Sequence, residues 1–518
     1  MDRVKNWQKA DTLITSLMGI GTILARLPFQ ITILNNHDAI NYALALDHFD
    51  MRLHQPHPPG YPLYILLGRA FNLLLQDHLS ALVWLSTVAS GLAVVAIYLA
   101  GREMFDRRTG IIAALLAATS SVFWFQGEIA APYTTDLLAS ALVGWLCYHL
   151  LTRPGRKIIW ATALAVGLAG AFRLQTILFL FPLFLYALRN RGWKTIISAT
   201  ALAGSVFGAF FVPAVIASGG LAAFVESMRV TVPIFYSTKV LVQSTRWERF
   251  AQNINNIGRY TLRALGETAL PFALIGYITQ PHRLRFWRNS KLSFLVLWLL
   301  PTWIVYFTIW PGNPGTILVC MPPVFLLAAT GLNWIIEQPR WIKIAGWAAL
   351  TVMLAWRIAL FTVLPQYPFG SAYRRFDNHE SVAAIADYYQ SKLALLEQVP
   401  VKGTIVYANA FRHLQYYTPQ YRAFSAPALL RSDPGLVKSV VSLQDGVMEN
   451  WTGVDVTTLV SPETVRIVFF DLPLEILLAD PALVQEYSKN GHTIQVISIP
   501  ANATALWTQE GLAINAAE

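Results

Sequence analysis

The sequence predicts a polytopic α-helical membrane protein of about 11 transmembrane helices, with a soluble α/β domain after the last of them. Three observations carry this. Hydrophobic residues make up 55% of the 518 positions and charged ones only 13%, a balance foreign to an ordinary soluble domain. Eleven long apolar runs fill residues 12 to 364. The short connections on one side of the implied membrane are all basic.

The first run follows Met1 to Lys9, reaches about 20 residues and lacks a small-residue cleavage site, so it reads as a retained helix. The runs extend over roughly 12–33, 80–101, 110–126, 133–152, 158–172, 174–188, 195–217, 262–280, 292–309, 316–335 and 342–364. The fifth and sixth are short and suit a tight hairpin. With the N-terminus inside, the inner segments hold Arg3/Lys5/Lys9, Arg102/Arg107/Arg108, Arg153/Arg156/Lys157, Arg189/Arg191/Lys194, Arg283/Arg285/Arg288/Lys291 and Arg340/Lys343. An odd number of spans leaves outside a first loop at 34–78, a turn at 127–132, a long loop at 218–261 and residues 366–518. The domains are therefore 1–365, within the membrane, and 366–518, soluble and extracytoplasmic.

The formal charge of +10 divides unevenly along the chain. Residues 1–365 carry 29 Lys/Arg against 14 Asp/Glu, and residues 366–518 carry 10 against 15. Positive charge thus follows membrane orientation and implies membrane lipid as a partner, not nucleic acid. Cys147 and Cys320 each fall inside a span, which leaves neither a disulfide framework nor a cysteine metal site.

In the tail the apolar runs shrink to strand length. Thr404–Ala410, Arg466–Leu472 and His492–Ile499 alternate with helical stretches near 379–398 and 480–489, an α/β pattern. It contains no phosphate-binding glycine loop. Arg412, His413 and the Tyr416/Tyr417 pair suit either a ligand-facing site or an ordinary surface.

The first outer loop has the densest polar content of the membrane part. It reads Asn35-Asn36-His37-Asp38 and later His54-Gln55-Pro56-His57-Pro58-Pro59-Gly60-Tyr61-Pro62. Helical periodicity runs from Asp38 to Phe49, and Tyr61 to Leu75, about 15 residues, suits an interfacial helix with Arg69 toward the headgroups. Asp38 falls where a span meets the outer headgroups. A carboxylate there is costly unless hydrated or paired, which makes it a functional candidate beside the plainer reading of a solvated loop acid. The turn Gln126-Gly127-Glu128-Ile129-Ala130-Ala131-Pro132-Tyr133 offers a second acid, with Asp136 one helical turn beyond Tyr133. Arg26, Arg173, Arg263 and Arg357 fall at or toward outer span ends. They suit snorkelling to headgroups or the phosphate of a lipid-linked substrate, whose oxygens a guanidinium fork binds bidentately; Arg173 is the strongest phosphate candidate.

These features resemble a known family. An Asp soon after the first span, His57-Pro58-Pro59-Gly60-Tyr61-Pro62 opening an interfacial helix, then Gly127-Glu128 with Pro132-Tyr133, resemble the C-type fold (GT-C) membrane glycosyltransferases. The branch most similar is that of the protein O-mannosyltransferases and aminoarabinose transferases. The resemblance spans about 10 to 335 and is specific in the first 190 residues. It implies a polyprenyl-phosphate sugar donor and inverting transfer at the extracytoplasmic face, in a bacterial inner membrane. It further implies that Asp38 is the first-loop catalytic acid, Glu128 the second active-site acid and Arg173 a residue near donor phosphate. His57, Tyr133, Arg26 and Arg357 complete the expected substrate-binding set. One departure stands out, since many relatives have two adjacent acids where Asp38 is flanked by His37 and Ala39.

Such chemistry asks for a carboxylate to take the acceptor hydroxyl proton and for positive charge on the departing phosphate. Asp38 and the outer arginines answer those needs. No Rossmann or P-loop glycine motif is present, as expected of a lipid-linked donor, and no cofactor is required. A divalent metal on His37, His54 and His57 is the alternative to a rigid proline turn. The acceptor is a protein, a glycan or a lipid. A transporter or flippase of lipid-linked substrate would share the span count and the prolines Pro182, Pro213, Pro271 and Pro301, but it calls for polar residues at the bilayer midplane and often an internal repeat. Asn450-Trp451-Thr452 and Asn502-Ala503-Thr504 match the N-glycosylation triplet.

Overall fold

The computed structural model describes residues 2–153, 155–236, 246–279, 290–309, 312–365, 377–425, 463–471, 483–501, 503–508 and 511–516. Arg283, Arg285, Arg288, Asn450-Trp451-Thr452 and Asn502 lie outside the described residues. The chain forms two compact units, and they do not follow chain order. One comprises Met1–Ile31 with Ala45–Val382; the other joins Thr32–Leu44 to Ala383–Glu518.

The first unit is helical. Its elements are α1 (Asp2–Arg26), α3 (Pro62–Leu75), α4 (His78–Met104), α5 (Arg107–Ala118), α6 (Ser121–Gln126), α7 (Tyr133–Thr152), α8 (Arg156–Phe172) and α9 (Leu174–Leu188). They are followed by α10 (Trp193–Ala217), α11 (Gly220–Tyr236), α12 (Arg246–Leu265), α13 (Ala269–Thr279), α14 (Ser290–Thr308), the 3-10 turn Pro314–Cys320, α15 (Met321–Ile336) and α16 (Arg340–Thr362). Seven helical stretches among the described residues are long and apolar enough to cross a membrane: Lys9–Phe29, His78–Met104, Tyr133–Thr152, Trp193–Ala217, Lys291–Thr308, Pro314–Ile336 and Arg340–Thr362. This is an integral membrane protein. The expected spans at 158–172 and 174–188 fall on the shorter α8 and α9, which pack against each other.

Two expected spans are interrupted. The run 110–126 is divided at Thr119–Ser120, because the Ser120 hydroxyl accepts from Phe123 N–H and starts α6 afresh. The run 262–280 is divided where α12 ends at Leu265 and α13 begins at Ala269. The expected loop 218–261 is mostly helix, α11 and α12. Phe250, Ile254 and Ile257 recur at helical spacing among polar residues and give α12 one apolar face.

The interior of this unit is built on α4, which packs against α1, α3, α5 and α7. Asp77 and Asp106 cap α4 and α5, each side chain accepting a backbone N–H three residues on. At the opposite end of α4, buried Asp11 accepts from Tyr98 Oη at 2.7 Å and pairs with Arg102 at 2.6 Å and Arg107 at 2.9 Å. Arg102 and Arg107 thus tie α1 to the α4–α5 turn.

The second unit holds most of α2 (His37–Asp47) and α17 (His379–Leu396), together with α18 (Phe411–Tyr417) and strands β1 (Thr404–Ala408), β2 (Arg422–Ser425), β3 (Arg466–Phe469), β4 (Val484–Lys489) and β5 (His492–Ser498). The sheet order is β2-β1-β3-β5-β4, with β1 parallel to β2 and β3 and the other pairs antiparallel. In register, Val406 faces Ala423 and Val468, and Val468 faces Val496. Every residue of β1 is buried, as its unbroken apolar run requires. A separate hairpin pairs β6 (Ala503–Thr508) with β7 (Gly511–Ala516). Of the stretch expected as helix near 480–489, residues 484–489 are instead β4 and 480–482 lie outside the described residues. Asn490 and Gly491, at φ of 52° and 76°, make the two-residue left-handed turn that sends the chain straight back as β5.

Candidate active site

Helices α8 and α9 meet at Arg173, which is extended (φ −156°, ψ 124°) and so turns its side chain away from both helical ladders. Its Nη1 donates to Asp136 Oδ2 at 2.9 Å, while Thr176 Oγ1 donates to Asp136 Oδ1 at 2.9 Å. The pair is nearly closed to solvent, with side-chain exposures of 11% for Arg173 and 1% for Asp136. Arg173 Cζ lies 5.6 Å from the centre of the Tyr133 ring, and the Tyr61 and Tyr306 phenols are within its electrostatic range. Tyr133 Oη in turn accepts from Asn313 Nδ2 at 2.8 Å, and Asn313 also caps the 3-10 turn through Gly315 N–H. Arg173 Nε is buried with no hydrogen-bond partner among the described residues. The result is a fixed guanidinium, oriented by one acid and set against the Tyr133 ring.

His57 reaches this group through Tyr61. Its Nε2 is 2.9 Å from Tyr61 Oη and the rings meet edge to face at 5.0 Å. Tyr61 immediately precedes α3 and opens it with Pro62 at the first position. Of the residues singled out from sequence, His57, Tyr133 and Arg173 therefore gather in one polar neighbourhood.

Glu128 and Arg26 form a second one. Both are fully buried. Arg26 Nη1 donates to Thr22 O at 3.1 Å, and its guanidinium sits over the Phe123 and Trp124 rings at 4.9 and 5.5 Å. It lies against the turn that carries Glu128, so closely that a β-carbon at Gly127 would stand 2.6 Å from Arg26 Nε. That turn is held by Thr87 Oγ1 donating to Gly127 O at 2.8 Å and Ile31 N–H donating to Glu128 O at 3.0 Å. Burial pushes the Glu128 carboxyl up to about 8, against the opposing pull of Arg26 and of the Trp124 indole. A carboxyl so placed holds a proton near neutral pH.

Arg357 is engaged elsewhere. Its Nε donates to Thr119 Oγ1 at 2.9 Å, Nη2 to Leu116 O at 2.6 Å and Nη1 to Leu265 O. It satisfies carbonyls at the ends of α5 and α12, work that a helix terminus demands. Neither Arg26 nor Arg357 reaches outward in the manner of a snorkelling side chain, since both are buried.

Asp38 belongs to the second unit. It sits in the first turn of α2, half-buried, where the helix N-terminus favours negative charge. Asn36 caps the same turn, its Oδ1 accepting from Ala39 N–H at 2.9 Å. His37 packs its ring against Phe411 at 5.2 Å. No group of three His, Cys, Asp or Glu side chains among the described residues is placed to hold a metal ion.

Sequence reasoning placed Asp136 only as an acid near a helix end, and passed over Asn313, Tyr306 and Thr176. The spacing of Tyr133 and Asp136, three apart on one helix, was the available signal that both face the same neighbour. Asn313-Pro314-Gly315, a turn cluster beside an apolar run, was the signal for the other side.

Residues 48–196 match the family model for the protein O-mannosyl-transferase TMEM260 N-terminal domain, a range that contains His57, Glu128, Tyr133 and Arg173. No curated protein sequence matches the chain. The fold is similar to that of ArnT from Cupriavidus metallidurans bound to undecaprenyl phosphate, with 12% identity, 94% of this chain and 97% of that one covered, and a TM-score of 0.52. The apo state of the same protein gives 12% identity, 96% and 99% coverage and a TM-score of 0.51. The oligosaccharyltransferase of Archaeoglobus fulgidus in its apo form scores 0.47 at 11% identity, over 80% of this chain and 64% of that one.

Proposed function

For this membrane glycosyltransferase of the C-type fold, we propose that the reaction transfers a sugar from a polyprenyl-phosphate donor to an acceptor hydroxyl on the extracytoplasmic face, with inversion. The observation that carries the reading is Arg173, a nearly buried guanidinium already oriented by Asp136 and with its Nε donor unpartnered among the described residues. A phosphate leaving group calls for such a preformed cation, because charge accumulates on its oxygens as the bond to the sugar breaks. Arg173 offers its Nε edge to those oxygens and keeps its Nη1 on Asp136. The structure of ArnT described with undecaprenyl phosphate supports a lipid-linked donor by likeness of fold.

In the proposed step the acceptor oxygen forms a bond to the anomeric carbon while the bond from that carbon to the phosphate oxygen breaks. The electron pair leaves with polyprenyl phosphate. The acceptor proton goes to the carboxylate of Asp38, acting as general base. Glu128 is the second acid of the site, and Tyr133 and His57 line the donor region. The protein sits in a bacterial inner membrane with residues 366–518 outside. The matched O-mannosyl-transferase model favours a hexose donor and a protein hydroxyl acceptor.

The test is transfer of radiolabelled sugar from polyprenyl-phosphate donors, the mannosyl one among them, by detergent-purified protein offered protein, glycan and lipid acceptors. Transfer that depends on the polyprenyl donor supports the reading. Binding of no polyprenyl phosphate and transfer to no acceptor would contradict it.

A further inference from the structure

Within the second unit, the segment Thr32–Leu44 that carries Asp38 is held by its backbone. Leu34 N–H donates to Tyr417 Oη at 2.9 Å, and Leu34 O accepts from His413 Nε2 at 2.9 Å. Both donor and acceptor of one peptide residue are thus taken by side chains of α18, and Leu34 itself has no solvent exposure. Gln390 Nε2 adds a bond to Thr32 Oγ1 at 3.0 Å, and Phe411 meets His37. The segment is gripped on both sides of Leu34, four residues before Asp38.

The grip is itself braced. Helix α18 leaves the carboxyl end of β1, where Asp471 Oδ1 and Oδ2 accept from Asn409 and Ala410 N–H at 2.7 and 2.8 Å. Strands β2 and β3 flank β1 on opposite sides, so this edge is the switch point at which open α/β sheets place what they bind. The Tyr389 ring stacks on His413 at 3.8 Å and 10° between planes. A carbonyl only accepts, so Nε2 must carry the imidazole proton, and Nδ1 is left as a buried acceptor without a partner among the described residues. Burial lowers the His413 pKa to about 4, which keeps the ring in that neutral form throughout the physiological range.

We infer that the α/β unit acts as the holder of the catalytic loop, with His413 and Tyr417 as positioning residues that fix Asp38 through the Leu34 peptide. This rests on the reading of Asp38 as general base. Geometry of this kind controls rate because a proton acceptor displaced by about 1 Å loses its reach on the acceptor hydroxyl, at a cost of up to about 100-fold.

The experiment compares full-length wild type with His413→Phe, His413→Gln and Tyr417→Phe. Phe keeps the ring against Tyr389 and removes the donor; Gln restores an N–H near the Nε2 position. Three quantities are read: polyprenyl-phosphate affinity, single-turnover sugar transfer and hydrogen exchange at the amides of Leu34 to Asp38. His413→Phe and Tyr417→Phe should slow transfer about 10-fold or more, leave polyprenyl-phosphate affinity unchanged and speed exchange in that segment, and His413→Gln should recover most of both losses. Unchanged exchange, or faster exchange with normal transfer, overturns the inference. Asp38→Asn run alongside reports the base assignment separately. Normal transfer in Asp38→Asn with slow transfer in His413→Phe would remove the base and leave the holder. The reverse pair of results would remove the holder and leave the base.

Discussion

Arg173 and Asp136 form one ion pair, Nη1 to Oδ2 at 2.9 Å, in which the acid is 1% exposed and the base 11%. A charge removed from one partner leaves the other buried and uncompensated, which costs far more than removing both.

Arg173→Ala should therefore destabilise the protein by about 3 to 5 kcal/mol, and Arg173→Ala with Asp136→Asn should recover most of that loss. The two should nonetheless bind polyprenyl phosphate equally poorly. Arg173→Lys keeps the charge, loses the fork and falls between. Thermal unfolding in detergent and donor titration separate the effects; normal donor affinity in the stable double variant would assign Arg173 to structure alone.

Glu128 gives a pH prediction. Its pKa of about 8 in the folded protein exceeds the ordinary carboxyl value, so the folded state binds a proton that the unfolded state has released at neutral pH. The stability this contributes is full in acid, below the ordinary carboxyl pKa, and is lost as pH rises through about 8. Glu128→Gln imitates the protonated form and should flatten the fall in unfolding temperature between about pH 6 and 9. An identical fall in wild type and variant would show that Glu128 is ionised at neutral pH.

His413 predicts the opposite limb. Its pKa is depressed to about 4 by burial, so the unfolded chain takes up a proton first as pH drops. The stability linked to neutral His413 is present above the ordinary imidazole value and declines as pH falls from about 6.5 toward 4, by up to about 1.4 kcal/mol per pH unit. Hydrogen exchange of β1 and α18 in the full-length protein, wild type against His413→Gln, measures it. The His492–Asp387 pair is present in both proteins and cancels in the comparison. Equal acid sensitivity of the two would contradict the prediction.

Orientation is testable by labelling. A cysteine at Gln420, in the α/β unit, should react with an impermeant reagent added outside intact cells, and one at Arg153 should not. The reverse pattern would invert the topology and move the proposed reaction to the cytoplasmic face.

The elements that periodicity governs were legible. Helix α3, helix α2 and strands β1, β3 and β5 fall where their apolar patterns put them, because a helix or strand in this chain buries the face its sequence paints. Local punctuation that was underweighted produced the misses: Ser120 recapping a helix within an apolar run, and Asn490-Gly491 turning a stretch expected as helix into half of a hairpin. In the proposed site, residue types singled out Arg173, Tyr133 and His57, which the structure brings into one polar neighbourhood. The identity of their partners was not legible, because Asp136 meets Arg173, Asn313 meets Tyr133 and Thr176 meets Asp136 only through packing of elements distant in the chain. For Arg357, position near a span end suggested phosphate, whereas Leu116 O and Leu265 O claim its donors once α5 and α12 are in place.

Asp38→Asn asks whether Asp38 takes the acceptor proton. Asn preserves size and most hydrogen bonding but has no basic lone pair. Single-turnover sugar transfer is measured for purified wild type and variant at matched donor occupancy, with thermal unfolding of both as the folding control. With Asp38 as the base, unfolding and donor binding are unchanged in the variant and transfer is slowed by about 10² to 10⁴. Near-normal transfer by folded, donor-bound Asp38→Asn would contradict that and move the base to another carboxylate.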